Sequence, residues 1–236
     1  MASSKEGDKV KGLKWLLANL SKGKNVSEFF PDVVKNVVVK SVEVKKLVYN
    51  YLVHYADFDQ SCRENSLLSI NSFQQDLNSS NSLIRGLALR VMTSIKCLDI
   101  IQIQMLAVRK CATDTSPYVR RSAATALPKI FNYEKSQLDS LKQVMKKMLA
   151  DNSPMVLGQA IVSFNEICPT SYDTIHPYLR KICHLLADLD EWTQVGAIDM
   201  LIRYVRNQFL DPLPDEEKTE RPSKLIFFPR AVTSCP

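Results

Sequence analysis

A short pattern of small and branched residues recurs along the chain. The segment SPYVRRSAATALPKI (116–130) is similar to NSLIRGLALRVMTSI (81–95) and to SPMVLGQAIVSFNEI (153–167). Aligning the copies on the branched residue near the start of each gives a column with spacings of 40, 35, 37 and 39 residues: Val44, Ile84, Val119, Val156 and Val195. A period of this length is typical of stacked helix pairs.

Two further columns have the spacing of one helix face. Positions i, i+4 and i+7 lie on the same side of an α-helix, and small residues there let neighbouring helices approach closely. The pattern therefore predicts an all-α fold, an alpha-solenoid of HEAT or armadillo type, with about five antiparallel helix pairs in a right-handed superhelix. The i+4 column contains Val48, Ala88, Ala123, Ala160 and Asp199, and the i+7 column contains Tyr51, Val91, Ala126, Ser163 and Ile202.

The segments between these copies predict the second helix of each pair, over residues 66–77, 99–111 and 136–149. Each is followed by a polar break: NSSNS, ATDTS or ADNSP. Ser, Asn or Asp in front of a helix can cap its free amide groups, and Pro117 and Pro154 are suited to the first helical turn. We interpret the breaks as turns between helices.

The charge of the chain is modest, and its basic excess lies near the amino end. Among 236 residues the formal net charge is +6, and Lys5, Lys9, Lys11 and Lys14 are interleaved with acidic residues. Such a segment is either a solvated helix face or a docking surface for acidic lipid or protein. We expect weak, salt-sensitive attraction to anionic membranes. No apolar run approaches the length of about 20 residues that spans a bilayer, so we expect a soluble, intracellular protein.

The cysteines and histidines give no sign of a metal or catalytic site. The six cysteines contain no CxxC pair, which favours buried reduced thiols. His176 and His184 are eight residues apart, but no acidic or cysteine ligand accompanies them at helical spacing, and Pro177 disturbs that helix. The segment SKGKN lacks the spacing of a phosphate-binding loop. We expect no enzyme activity, no catalytic residue and no cofactor.

Two residues of the last copy stand out. Asp199 lies in a column of Val and Ala, so it is either partly buried or on a rotated helix, and Arg203 one turn later is a suitable partner. Trp192, at a helix start, is interpreted as a packing residue.

Several segments in register resemble the amino-terminal trunk of the beta-adaptins, the large beta subunits of heterotetrameric adaptor complexes. They are GKNVSEFFPDVVKN, VEVKKLVYNYLVHYA, LLSINSFQQDLNSSNSLIRGLALRVMTSI, SPYVRRSAA and EWTQVGAIDMLIRYVR. Segments such as VVKNVVVKSVEVKKLVY and RYVRNQF are most similar to the beta subunit of the third adaptor complex. The resemblance implies a non-catalytic coat scaffold that sorts proteins from Golgi and endosomes to lysosomes and related organelles. It implies a cytoplasmic location, peripheral on those membranes and on coated vesicles, with a second large, a medium and a small chain as partners.

The end of the chain departs from this family. We expect the adaptin trunk over residues 1–210 and a proline-rich, irregular tail over 211–236, which contains five of the 11 prolines. The hinge and appendage of the family, with their clathrin and accessory-protein sites, are not carried over. A fragment, a splice product and a gene-model end all remain open.

The resemblance also implies a docking surface for an Arf-family GTPase in the GTP state. Polar positions outside the apolar spacing of the second helices are the candidates: Gln74, Gln102, Gln137 and Lys142. A generic HEAT-repeat binding module for nuclear transport or a nucleic-acid scaffold is the alternative. Against nucleic acid, 25 acidic residues oppose 31 basic ones, without aromatic residues interleaved to stack on bases.

Overall fold

The computed structural model describes residues 6–56 and 58–209. Lys5, Cys235 and the expected tail over 211–236 lie outside the described residues. Within the described part the chain is almost entirely helical, as the sequence predicts. The α-helices are α1 Glu6–Ser21, α2 Phe30–Val34, α3 Val42–Tyr55, α4 Gln60–Leu68, α5 Ile70–Asp76, α6 Ser82–Met92, α7 Ile101–Cys111, α8 Pro117–Tyr133, α9 Leu138–Leu149, α10 Pro154–Ile167, α11 Tyr172–Ile175, α12 Leu179–Leu185 and α13 Glu191–Gln208.

The helices form two layers. The first-helix layer consists of α1, α3, α6, α8, α10 and α13, each packed against the next. The second-helix layer consists of α4, α5, α7, α9 and α12. Of these, α5 packs against α6, α7 packs against α6 and α8, and α9 packs against α8 and α10, whereas α4 packs against α2 and α5. Contacts therefore run from neighbour to neighbour, and the core is a continuous strip between the layers, as in an alpha-solenoid.

Small residues bring the first helices together. Ala88, Ala123 and Ala160, all predicted on the sequence column, are completely buried. A Cβ built on Gly158 of α10 would lie 2.6 Å from the Oγ1 atom of Thr193 in α13, so only glycine fits at this crossing. The close packing explains why the pattern uses Gly and Ala where an ordinary helix would carry larger apolar residues.

The fifth copy of the pattern has a different register from the one that the sequence predicts. Val195 is 68% exposed, Ile202 is exposed, and so is Asp199. The buried residues of α13 are instead Thr193, Ala197, Met200 and Tyr204. Thr193, Ala197 and Met200 each lie two positions before the residue predicted for the corresponding column, so the column after Val156 continues at Thr193. Moving two residues along a helix turns a side chain by about 200°, which places the predicted positions on the opposite face.

Ion pairs connect successive repeats on one side of the stack. Arg85 of α6 binds Asp114 in the turn after α7, and Arg120 of α8 binds Asp151 in the turn after α9. At the amino end Lys45 of α3 binds Asp76 at the end of α5, and the Tyr49 phenol donates a further hydrogen bond to this carboxylate. These three pairs form a ladder along the stack, which we call the ion-pair ladder. It was not anticipated from the sequence.

The same aspartates organise the turns. Asp114 accepts a hydrogen bond from the Ser116 amide, and Asp151 accepts one from the Ser153 amide. Ser116 and Ser153 themselves make no capping hydrogen bond through their side chains, so the expected serine caps are wrong at these two positions. Asn81 does cap α6, and the prolines of both Ser-Pro pairs open their helices as predicted.

The second helices differ in detail from the predicted segments. The stretch 66–77 is not one helix, because α4 ends and α5 begins around Ser69. Residues 99–111 and 136–149 each begin with a 3-10 turn, Leu98–Ile100 and Lys135–Gln137, before the α-helix.

Candidate functional site

The four polar residues predicted for partner binding lie on three successive steps of the second-helix layer. Gln74 is in α5, Gln102 in α7, Gln137 in the 3-10 turn before α9, and Lys142 in α9. Gln102 is exposed and the other three are half-buried. The apolar faces of these helices point towards the first-helix layer, which leaves the polar residues outside, as the helical spacing predicts.

Gln74 also borders a hollow of about 330 Å³ between α5 and α7. Its floor is apolar, with Leu77 and Ile103 among the lining residues. At its edge Lys110 donates a hydrogen bond to the Asn78 side chain across the two helices. The hollow could receive an apolar side chain, and the amide and ammonium groups around it could hold polar atoms of a partner.

Exposed leucines on this layer were missed by the sequence analysis. Leu106 lines the same hollow and is 64% exposed, and Leu68 and Leu98 are also exposed. Leu106 lies between the buried residues Met105 and Ala107, so hydrophobicity alone does not distinguish this exposed residue from its buried neighbours. Its position outside the i, i+3, i+4 stripe of α7 was the available signal.

Of the basic residues predicted to face a membrane, three lie in α1. Lys11 and Lys14 are exposed and Lys9 is half-buried. The Lys14 ammonium lies 3.0 Å from a carboxylate oxygen of Glu43 in α3, and both side chains face solvent. This pairing partly neutralises Lys14, so the basic charge available from α1 is smaller than the sequence suggests.

The two residues singled out in the last copy have different outcomes. Asp199 is on the exposed side of a rotated helix, and its carboxylate lies 2.8 Å from Arg203 Nη1, the predicted partner. Trp192 is 86% exposed, so its interpretation as a packing residue is wrong. Trp192 lies three positions before Val195 and would share its helix face. Because the core face of α13 contains Thr193 and not Val195, Trp192 faces solvent.

Three of the cysteines predicted to be buried are so: Cys62, Cys111 and Cys168, whereas Cys183 is exposed. Burial raises the pKa of Cys111 to about 11. Burial and the hydrogen bond with Asp59 raise the pKa of Cys62 to about 12. These two thiols are therefore protonated and unreactive at neutral pH.

The histidines have different surroundings. His176 Nδ1 is hydrogen-bonded to the Tyr204 hydroxyl, whereas His54 and His184 are exposed. Over residues 6–56 and 58–209, no group of three His, Cys, Asp or Glu side chains is arranged to hold a metal ion. None of the helices in this part of the chain has both the length and the apolar character needed to cross a bilayer.

Comparison with known proteins identifies the family. The family model described as the adaptin N terminal region matches residues 2–226. The AP-3 complex subunit beta of Dictyostelium discoideum is 50% identical over 210 residues, which is 89% of this chain and 19% of that protein. The chain thus spans about a fifth of the length of the curated relatives it matches.

Structural comparison gives the same answer. A homology model of the full-length AP-3 complex in an intermediate open conformation matches with a TM-score of 0.61 and 30% identity, over 90% of this chain and 34% of that chain. A designed armadillo repeat protein, in complex with the peptide (KR)4, matches with a TM-score of 0.55 at 16% identity, over 83% of this chain and 91% of that chain. The second match supports the solenoid fold alone. The chain belongs to the adaptin N-terminal region family, and its similarity to AP-3 beta subunits confirms the predicted resemblance to the beta-adaptins.

Proposed function

We propose that this chain acts as a non-catalytic scaffold within a vesicle-coat adaptor complex, in sorting from Golgi and endosomes to lysosomes and related organelles. The observation that carries the proposal is the 50% identity to an AP-3 beta subunit across 89% of this chain. The fold is consistent with a scaffold, because a two-layer solenoid offers long surfaces for partners. The partners we propose are a second large, a medium and a small adaptor chain.

Co-purification tests the scaffold role. The tagged chain, expressed in cells of its own source, is expected to recover the other chains of one adaptor complex. A matched variant should carry Ala123→Arg, which disrupts the packing of the buried Ala123 in the first-helix layer. Loss of the partners in this variant and recovery with the parent chain would support assembly through the folded solenoid. Recovery of nuclear transport factors or nucleic acid instead would contradict the proposal.

Recruitment by an Arf-family GTPase in the GTP state is the second part of the proposal. The supporting geometry is the run of polar side chains on the second-helix layer, with exposed Leu106 and the hollow beside Gln74. A GTPase whose switch loops are ordered only with GTP makes contacts that its GDP form lacks, and this difference would restrict recruitment to the active state. A single small interface of this kind predicts a micromolar dissociation constant, roughly −8 kcal/mol.

Binding to a GTPase loaded with a non-hydrolysable GTP analogue or with GDP tests this part. Gln102→Glu and Lys142→Glu are expected to weaken binding of the GTP form at least fivefold. Lys46→Glu is the control, because Lys46 is exposed on α3 in the first-helix layer. Equal binding of both nucleotide forms, or equal effects of all three variants, would remove this mechanism while leaving the scaffold role intact.

A weak membrane contact completes the proposal. Lys9, Lys11 and Lys14 in α1, together with Lys5 outside the described residues, could approach an anionic bilayer. Each lysine near such a surface contributes about 1 kcal/mol, and the attraction decreases with salt. Pelleting with phosphatidylserine vesicles at low and physiological salt tests it, and tight binding that salt does not affect would contradict it.

A further inference from the structure

The first-helix layer carries a groove that none of the functions above uses. One part, the apolar hollow, has a volume of about 470 Å³ and lies between α1, α3 and α6. The other part, the basic hollow, has a volume of about 340 Å³ and lies between α6, α8 and α10. Arg90 lines both hollows, so they adjoin each other across α6, and we call the two together the groove.

The basic hollow concentrates positive charge. Arg90 and Arg121 line it, together with the Tyr118, Ser122, Thr125 and Gln159 side chains. Lys129, one turn after Thr125 on α8, donates to the Ser94 hydroxyl, which in turn donates to the Arg90 main-chain oxygen, so a third basic side chain lies beside Arg90. Within residues 6–56 and 58–209, neither Arg90 nor Lys129 has a carboxylate oxygen within 4 Å.

The neighbouring groups do not satisfy this charge. Lys129 donates a hydrogen bond of 3.3 Å to the neutral Ser94 hydroxyl. Desolvation by the neighbouring residues and the charge of Arg90 lower the Lys129 pKa, while both side chains remain exposed to solvent and open to a partner. Arg121 has a carboxylate partner, Asp190, but the two groups are 3.7 Å apart and both are exposed to solvent. A partner carboxylate in the hollow would relieve the repulsion between Arg90 and Lys129 and would gain charge-assisted hydrogen bonds.

The apolar hollow has a different character. Its walls are formed by Leu17 and Leu20 of α1, Val53 of α3 and Leu87 of α6. Asn50 and Gln159, near opposite ends of the groove, make no hydrogen bonds through their side-chain amides within the described part of the chain. Such amides can donate to and accept from the main chain of an extended peptide.

We propose that this groove binds an extended peptide segment of a partner protein, with acidic side chains in the basic hollow and a bulky apolar side chain in the apolar hollow. Packed helices are 8–10 Å apart, so two helix spacings separate the hollows by about 16–20 Å. An extended chain covers about 3.3 Å per residue, which places the acidic and apolar residues about five or six positions apart. This function goes beyond coat assembly and GTPase recruitment and depends on neither.

The probe is the labelled peptide EESGSSLF, tested against the full chain by fluorescence anisotropy. QQSGSSLF, which lacks the charge, and EESGSSGG, which lacks the apolar end, are the peptide controls. We expect both to bind at least fivefold more weakly than the probe, and binding of the probe to decrease with salt. Equal binding of the three peptides, or no binding of the probe, would overturn the proposal.

Matched protein variants locate the site. Arg90→Ser is expected to lower the affinity for the probe peptide at least fivefold. Arg109→Ser removes the same charge from an exposed position on α7 in the second-helix layer, and it should change this affinity by less than twofold. Circular dichroism checks that both variants are folded. Equal effects would overturn the proposal, and so would an Arg90-dependent affinity for phosphatidylserine vesicles in the absence of peptide binding.

Discussion

Arg85 and Asp114, 29 residues apart in the chain, form a two-point ion pair in which Nε donates to Oδ2 and Nη2 to Oδ1, each at 2.7 Å. Each side chain is only 14% exposed. The same guanidinium donates to the main-chain oxygens of Ser79 and Ser80, so Arg85 joins the turn before its own helix to the turn of the next repeat. Arg120 and Asp151 repeat the arrangement one step further along the stack.

Removing the charge of Asp114 should destabilise the fold. In Asp114→Asn the largely buried Arg85 loses its counter-charge, and we expect the free energy of unfolding to decrease by about 2–4 kcal/mol. Asp199→Asn is the control, since the exposed pair of Asp199 with Arg203 should contribute less than about 1 kcal/mol. Urea unfolding followed by circular dichroism measures both, and similar losses in the two variants would show that the ladder has no special role.

The ladder also predicts acid sensitivity. The hydrogen bond from Arg85 lowers the pKa of Asp114, and at Asp151 burial opposes the shift but hydrogen bonds from Arg120 and from the Ser153 amide still lower the pKa. A carboxylate with a depressed pKa in the folded state stabilises the fold above its unfolded pKa of about 3.9, and this contribution is lost as pH falls through the folded pKa.

We therefore expect the free energy of unfolding to decrease as pH is lowered from about 5 to 3, and to decrease less steeply in an Asp114→Asn, Asp151→Asn double variant. Urea titrations across this range give the slope, with Asp199→Asn again as the control. Parallel slopes for the parent chain and the double variant would contradict the assignment.

Gly158 tests the close crossing of α10 and α13. Alanine is normally favoured over glycine within a helix by about 1 kcal/mol, but here its Cβ would meet Thr193 Oγ1 at 2.6 Å and Thr193 Cβ at 2.9 Å. We expect Gly158→Ala to lower the unfolding free energy by about 1–3 kcal/mol. Gly7→Ala in α1, where a Cβ has no neighbour within 4 Å, should be neutral or slightly stabilising. Thermal unfolding distinguishes the two, and a stabilised Gly158→Ala would mean that the helices are further apart.

The register of α13 can be tested with two adjacent residues. Ala197 is completely buried, whereas Ile198 is 45% exposed. Ala197→Asn should lower the free energy of unfolding by about 2 kcal/mol or more, because it places a larger polar group where two helices pack closely. Ile198→Asn should change the unfolding free energy by less than about 1 kcal/mol. A larger loss of unfolding free energy in Ile198→Asn than in Ala197→Asn would mean that the core face of α13 contains Val195 and not Thr193.

Ala123→Arg examines the middle of the stack. Ala123 has no exposed surface in α8, and a guanidinium at this position would be buried without a partner. We expect a loss of several kcal/mol, or failure to fold. Arg121→Ala, on the half-buried side of the same helix, provides the comparison. An Ala123→Arg protein with the parent melting temperature would show that the proposed register is wrong.

The sequence predicts the fold class because the same pattern of branched and small residues occurs repeatedly, and four of its copies are correctly aligned. The fifth copy was misplaced because Val195 and Ile202 are apolar and Thr193 is polar, so hydrophobicity favours the wrong face. The actual choice depends on Gly158, whose missing side chain leaves room for the Thr193 hydroxyl. The contact between Gly158 and Thr193 joins two different helices, and one sequence alone does not show which residues of two helices meet.

The surfaces were harder to predict than the core. Polar residues such as Gln102 could be assigned to the outside from spacing alone, but exposed Leu106 could not be separated from its buried neighbours by composition. The basic hollow is less accessible still to sequence reasoning, because Arg90 and Lys129 are 39 residues apart and come together only when α6 and α8 stack.

The ion-pair ladder ends within the described part of the chain. Leu157 follows Val156 where Arg85 and Arg120 follow the branched residues of the earlier copies. The α13 end is held instead by the Asn165 amide on the Gly196 oxygen, by Arg203 on Asn165, and by the long, exposed pair between Arg121 and Asp190. In mechanical terms, the ion pairs act as cross-braces from α3 to α9, whereas packing and neutral hydrogen bonds carry most of the joint between α10 and α13. A bending load on the solenoid is therefore expected to open the joint between α10 and α13 first, while the ion-paired stretch from α3 to α9 moves as one arm.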